Sequence, residues 1–225
     1  MPRLRLTYAK RGRACFIPHI AIPGVFTRSG RRAGIDFELS EGFSPRPRIS
    51  LGPELPVGVA ALREPFEVRV STFSPDLIRA WDAALPPDFF FTGCRCVPEM
   101  VEGEARSLSK LCEASSYLVG LRGGQDPGLS KALGEMVEEG TLLHFEGARR
   151  ALYYCIVESP SVRGPGLLVK ELKKRGIIEG WPEVFILREA VGRLLRGEAG
   201  DPPRVLPLVP DHPDGTSTAL IADES

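Results

Sequence analysis

Twice along this chain the same order of local patterns occurs: a strand, a helix, two further strands, a second helix and a last strand. The first pass begins with RLRLTYAK (3–10), whose strict alternation puts Leu4, Leu6 and Tyr8 on one face and Arg3, Arg5 and Thr7 on the other. Residues 19–33 read as a helix with Gly34 as its stop; Pro23 fits a first turn but not an interior, so the start lies at about His19 or just before Pro23. IDFELS (35–40) and PFEVRVSTF (65–73) alternate again. Ser74 and Pro75 then open a helix, as N-cap and first helical residue, that runs to about Leu85, and DFFFTGCRCV (88–97) supplies the last strand. The second pass runs through a strand at 114–122, a helix at 126–140, a hairpin of 141–146 with 149–158 around Gly147, a helix at 164–176 and, at 183–191, a final strand or strand-to-helix passage.

Two successive β-α-β-β-α-β units predict an α+β chain, a tandem of ferredoxin-like units with antiparallel sheets. The first unit spans 1–100, the second 112–192, and residues 98–113 join them. From Leu195 to residue 225 the chain is Gly, Pro and acid without periodicity, which predicts a disordered acidic tail. In such a sheet the first and third strands are antiparallel neighbours. Arg3 and Arg5 then face Glu67 and Arg69 as a charge ladder on an open sheet face, unless the second unit covers it.

At 225 residues and 43% apolar content the chain has material for a real core. No apolar run approaches the ~20 residues of a membrane span, and the basic start MPRLRLTYAKRGR has no apolar signal segment, so a cytoplasmic protein is expected. The five cysteines show no CxxC spacing. Cys94 and Cys96 share one strand face, yet no histidine lies near them, and they read as buried thiols rather than metal ligands. The sequence contains no GxxxxGK[ST], no GxGxxG after a strand, no HExxH and no GxSxG. No metal and no cofactor are expected.

EGFSPRPRISLGPELPVGV (41–59) is the unusual stretch. Prolines at 45, 47, 53 and 56 fix φ and reduce the entropy lost on ordering, where a flexible linker would use Gly and Ser. Phe43, Ile49, Leu51 and Leu55 read as anchors to the core, which would hold Arg46 and Arg48 out in fixed positions suited to phosphate or carboxylate. The recognition loop proper is Phe43, Ser44, Pro45 and Pro47. Charge is uneven: residues 1–50 hold ten Lys/Arg against three acids, whereas 197–225 hold six acids against Arg204 alone. Arg28, Arg31 and Arg32 share a face of the first helix and are expected to form, with Arg46 and Arg48, a phosphate- or RNA-binding patch; an ordinary solvated surface is the alternative. His19, at a helix start, is the one weak catalytic candidate, held neutral by the helix dipole but without a visible partner.

The phrases Phe16-Ile17-Pro18-His19-Ile20-Ala21, Arg31-Arg32-Ala33-Gly34 and Gly42 through Gly58 resemble the uncharacterised radical SAM-linked protein family, whose members are encoded beside, or fused to, B12-binding-type radical SAM proteins. The resemblance covers residues 3–60 well and the second unit only in its order of elements. Pro18 and Ala21 depart from the family's usual Ser and Asp, which removes an acidic neighbour of His19; Ser44 and Arg46 stand where Asn and His are commoner. The resemblance implies a radical SAM partner and a non-catalytic accessory role, with RNA as a substrate to be held. Two alternatives stay open: a protein–protein interaction module that binds no nucleic acid, and an RNA endonuclease using His19.

Overall fold

A computed structural model describes residues 2–97, 107–124, 127–148, 151–197 and 201–210. Each unit forms a four-stranded antiparallel sheet in the order 4-1-3-2. In the first unit these are β1 (Arg3–Lys10), β2 (Ile49–Leu51), β3 (Ala60–Arg69) and β4 (Phe89–Val97). In the second they are β5 (Ala114–Leu121), β6 (His144–Gly147), β7 (Tyr153–Glu158) and β8 (Val184–Leu195). The spatial order β4-β1-β3-β8-β5-β7-β6 joins them into one sheet, because Ala60 and Ala61 of β3 pair in parallel with Leu187 and Arg188 of β8. The expected tandem is thus present, with its units edge to edge.

α1 (Ile22–Arg32) and α2 (Pro75–Ala83) cover the face that carries Leu4, Leu6, Tyr8, Phe66 and Val68. Trp81 is fully buried there and donates from its indole nitrogen to the Phe26 carbonyl at 3.1 Å. Ser74 caps α2 as expected, its hydroxyl accepting from the Leu77 amide at 3.2 Å. α4 (Pro127–Glu138) and α5 (Pro165–Lys174) cover the second core, built on Tyr117, Val119, Cys155, Val157 and Ile186. Between the units, α3 (Leu108–Leu111) is a single helical turn.

Three sequence expectations need correction. Residues 35–40 do not form the second strand of the first unit. Phe37 bridges Val70 and Glu38 donates to the Arg69 carbonyl, but the chain leaves the sheet at Leu39 and returns at Ile49, opposite Val68. Register against β3 moves by ten residues between these pairings, so residues 39–48 are an insertion within one edge strand. The tail does not begin at 195: β8 runs to Leu195, and β9 (Arg204–Pro207) pairs back on it antiparallel, Val205 being buried. Residues 211–225, the acidic remainder, lie outside the described residues.

The third correction concerns the other face of the sheet. The register Arg3↔Arg69 and Arg5↔Glu67 is as the alternation predicts. The ladder is not open to water, however, and Arg5 is buried. Leu108 and Cys112 from the connecting segment and Leu208 from the chain beyond β9 join Val191 in a small apolar cluster on the open side, and Val209 and Pro210 lie against Gly93. Linker and C-terminal chain supply the cover; the second unit lies beside the first.

Candidate functional site

The Pro-rich stretch divides into three parts with different tasks. Its first part is the tip of the inserted hairpin. The Arg48 amide donates to the Glu38 carbonyl at 3.0 Å, the Ser40 amide to the Arg46 carbonyl at 2.8 Å, and the Arg46 amide to Ser40 Oγ at 3.1 Å. Gly42 at the turn has φ 113°, a conformation that L side chains avoid. Phe43 is not an anchor: it stands fully exposed at the tip, and Ser44 and Pro45 are exposed beside it. The second part, Ile49–Leu51, is β2, half-buried against the first core. The third, Pro53–Val59, is a wedge between the units, with Leu55 and Val59 buried in the second core.

Arg46, Pro47 and Arg48 line a groove of about 770 Å³ together with Arg3, Arg69, Glu67, Ser40, Ser50 and residues 107–109. Glu38 Oε1 lies 3.1 Å from Arg48 Nη1, and its other oxygen lies 3.7 Å from Arg69 Nη1. Glu67 holds Arg3, whose Nη2 is 2.5 Å away, and accepts from Arg5 Nε at 2.8 Å. Three guanidinium groups at the rim, Arg3, Arg48 and Arg69, therefore meet two carboxylates, and the side chain of the fourth, Arg46, is exposed.

The first-helix arginines are not among the groove's lining residues. Arg28, Arg31 and Arg32 are exposed on α1, which covers the opposite face of the sheet from Arg3 and Glu67. Arg32 donates to the Ala84 carbonyl at 2.8 Å, neutralising the C-terminal end of α2. The expected five-arginine patch is instead two sets separated by the sheet. Arg3 and Arg69 complete the groove, and their alternation and register were the signal for them. The basic front end is also less available than its ten cations imply: Arg5 and Lys10 are buried.

His19 opens a 3-10 turn (His19–Ala21) just before α1, at the far end of β1 from the groove. Seven residue-to-residue steps of strand separate Arg3 from Lys10, on the order of 23 Å. Its pKa is lowered chiefly by burial, with the nearby cations Arg188 and Lys10 acting the same way and Glu64 and Glu54 opposing. Its Nδ1 is buried with no hydrogen-bond partner.

Beside it lies a charged cluster that sequence reasoning missed. Arg188 and Glu64 are both fully buried and joined in a bidentate pair, Nε to Oε1 at 2.6 Å and Nη2 to Oε2. Arg188 also donates to the carbonyls of Pro53 at 2.8 Å and Glu54 at 3.1 Å. The buried Lys10 ammonium donates to the Ile17 carbonyl at 3.1 Å, and burial lowers its pKa. The pair is a lock between units, since Glu64 belongs to β3 and Arg188 to β8.

Cys15, Cys94, Cys112 and Cys155 are buried, and burial raises the thiols of Cys94, Cys112 and Cys155 to about 12. Cys96 is exposed, against the expectation for the pair. Among the described residues no group of three or more His, Cys, Asp or Glu is placed to hold a metal ion, and no helix is long and apolar enough to cross a membrane.

The sequence profile of the family "Uncharacterized protein conserved in bacteria (DUF2344)" matches residues 3–148, well over half of the chain. The protein belongs to this DUF2344 family. The matched span contains the whole first unit, the inserted hairpin, His19 and Glu64, and ends at the hairpin of the second unit before Arg188. No curated protein matches the chain. Among solved structures, a crystal structure of a "putative glycine cleavage system transcriptional repressor" is similar over 83% of this chain and 98% of its own, at 9% identity and a TM-score of 0.22. A likeness that low carries no argument about this DUF2344 member, whose fold is read from its own strand order.

Proposed function

We propose that this DUF2344 protein is a non-catalytic accessory protein that holds RNA, or a modified RNA, for a radical SAM partner in the cytoplasm. The supporting observation is the groove of Arg3, Arg46, Arg48 and Arg69, in which four cations outnumber Glu38 and Glu67. Phosphate oxygens suit such a site, because a guanidinium presents paired donors in a fixed plane. The radical SAM partner rests on the sequence resemblance of residues 3–60. His19 stands at the other end of β1, which separates the endonuclease reading from the groove.

Binding of a fluorescently labelled RNA across a salt series tests this. Affinity is expected to fall steeply, log K decreasing by about 0.7 per phosphate neutralised for each unit of log salt on a single strand. Arg46→Ala is expected to weaken binding and reduce that slope by about one contact's worth. A flat salt response, or no binding, overturns the proposal.

A second reading, a protein-interaction module without nucleic acid, is favoured by a different surface. Phe16 is 68% exposed and Ile20 89% exposed, on either side of His19. The Gly58 amide donates to the Cys15 carbonyl at 2.9 Å, bringing the exposed Val57 to the same end. Apolar side chains gathered in this way fit a partner contact. Co-purification with a radical SAM protein that survives Arg46→Ala but is lost with Phe16→Ser and Ile20→Ser supports this reading over the first.

A further inference from the structure

We infer that Phe43 is a base-stacking residue, so that the groove takes single-stranded rather than duplex nucleic acid; this deepens the RNA-binding reading and rests on it. An exposed aromatic side chain is by itself unremarkable, and the argument comes from how this one is presented. The ten-residue insertion leaves the edge of β3 and returns to it, and its neck is fixed by backbone bonds between 38 and 48 and between 40 and 46. Gly42 adopts φ 113° immediately before the phenyl group, and Pro45 and Pro47 restrict the chain immediately after it. The ring is thus carried on a restrained neck, yet it covers no apolar surface of its own protein. Ordering cost has been met before any ligand arrives.

The neighbours decide what the ring meets. Arg46 follows three residues later, at most about 10 Å along the chain. Arg46 and Arg48 line the groove with Arg3 and Arg69, so the charged surface adjoining the tip is mainly cationic, with Glu41 the exposed acid on the tip itself. An apolar partner would not be drawn there, and an acidic peptide would leave the ring without a flat counterpart. A nucleotide strand offers both components, phosphates for the arginines and a base face for the phenyl ring. Bases in a duplex are stacked on one another and present only their edges, so the ring requires unpaired bases.

The test uses the full chain with labelled RNA in single-stranded and duplex form, and with single-stranded DNA of the same sequence. Phe43→Ala is expected to weaken single-strand binding between about fivefold and a hundredfold, the range for loss of one base–aromatic stack. It should leave duplex binding and the salt slope unchanged, because no phosphate contact is removed. Phe43→Trp should retain affinity, and its added indole emission should be quenched by the single strand. Equal loss for DNA and RNA assigns the stack to the base alone; greater loss for RNA adds a ribose contact; either result supports the inference. If Phe43→Ala binds single strands as the parent does while Arg46→Ala binds weakly, the stacking inference fails and the RNA reading stands. If the parent binds no nucleic acid, both fail.

Discussion

Removing Glu64 alone strands the Arg188 guanidinium in the interior with the Pro53 and Glu54 carbonyls and the Tyr117 side chain as its remaining partners, none of them a counter-ion. Breaking a buried pair from one side costs about 3–5 kcal/mol, whereas replacing both partners by apolar residues is often neutral. Glu64→Ala is therefore expected to lower the urea midpoint sharply, and Glu64→Leu with Arg188→Met to recover most of the loss. His19 gives a pH signature. Burial lowers its pKa, so as pH falls the unfolded chain takes up the proton first. Its contribution is complete above the unfolded value of about 6.5 and is lost as pH drops below it. Glu64, Glu54, Lys10 and Arg188 are the charged side chains that act on the ring. Between pH 7.5 and 5.5 the parent should lose more stability than His19→Gln, as read from urea midpoints at each pH; equal losses would count against burial of the neutral ring.

At the scale of elements, the insertion is the feature to test. Glu38 already bonds opposite Arg69 and Ile49 opposite Val68, so joining 38 directly to 49 restores an uninterrupted edge strand. Excision of 39–48 should leave far-UV circular dichroism unchanged and abolish RNA binding, because Arg46, Arg48 and Phe43 leave together; loss of the fold would show that the hairpin supports the sheet. This element also marks where sequence reading stopped. Strand β1, its register with β3 and the Ser74 cap were legible because each depends on alternation or on a side chain three residues away. IDFELS alternates as well, and nothing local says that its pairing is interrupted and resumed ten residues later. The prolines revealed a stiff segment but not that it is hairpin, strand and wedge in turn. Glu64 and Arg188 were illegible for the same reason: their meaning is a contact across 124 residues, and local pattern carries no information about that distance. Cys96 was misread because strand alternation assigns a face, while burial depends on what covers it.

For the whole molecule, the joint between units is more polar and more interlocked than a chance meeting of two domains. Leu55, Val59 and Ala61 of the first unit lie in the second unit's core, and the ion pair ties β3 to β8. The two units are expected to unfold as one. Trp81 reports the first unit and Trp181 the second, so Trp181→Phe and Trp81→Phe variants should give the same fluorescence midpoint in urea, coincident with circular dichroism. Separate midpoints would mean that the units are only neighbours.

That joint also bears on how the chain is made. Glu64 leaves the ribosome 124 residues before Arg188, an interval of roughly 6–25 s at ordinary elongation rates. Throughout it the nascent first unit holds a carboxylate whose counter-ion has not yet been synthesised and a wedge with no core to enter. Completion of that unit must wait for nearly the last strand, which makes the half-made chain, rather than the finished protein, the form most in need of a chaperone.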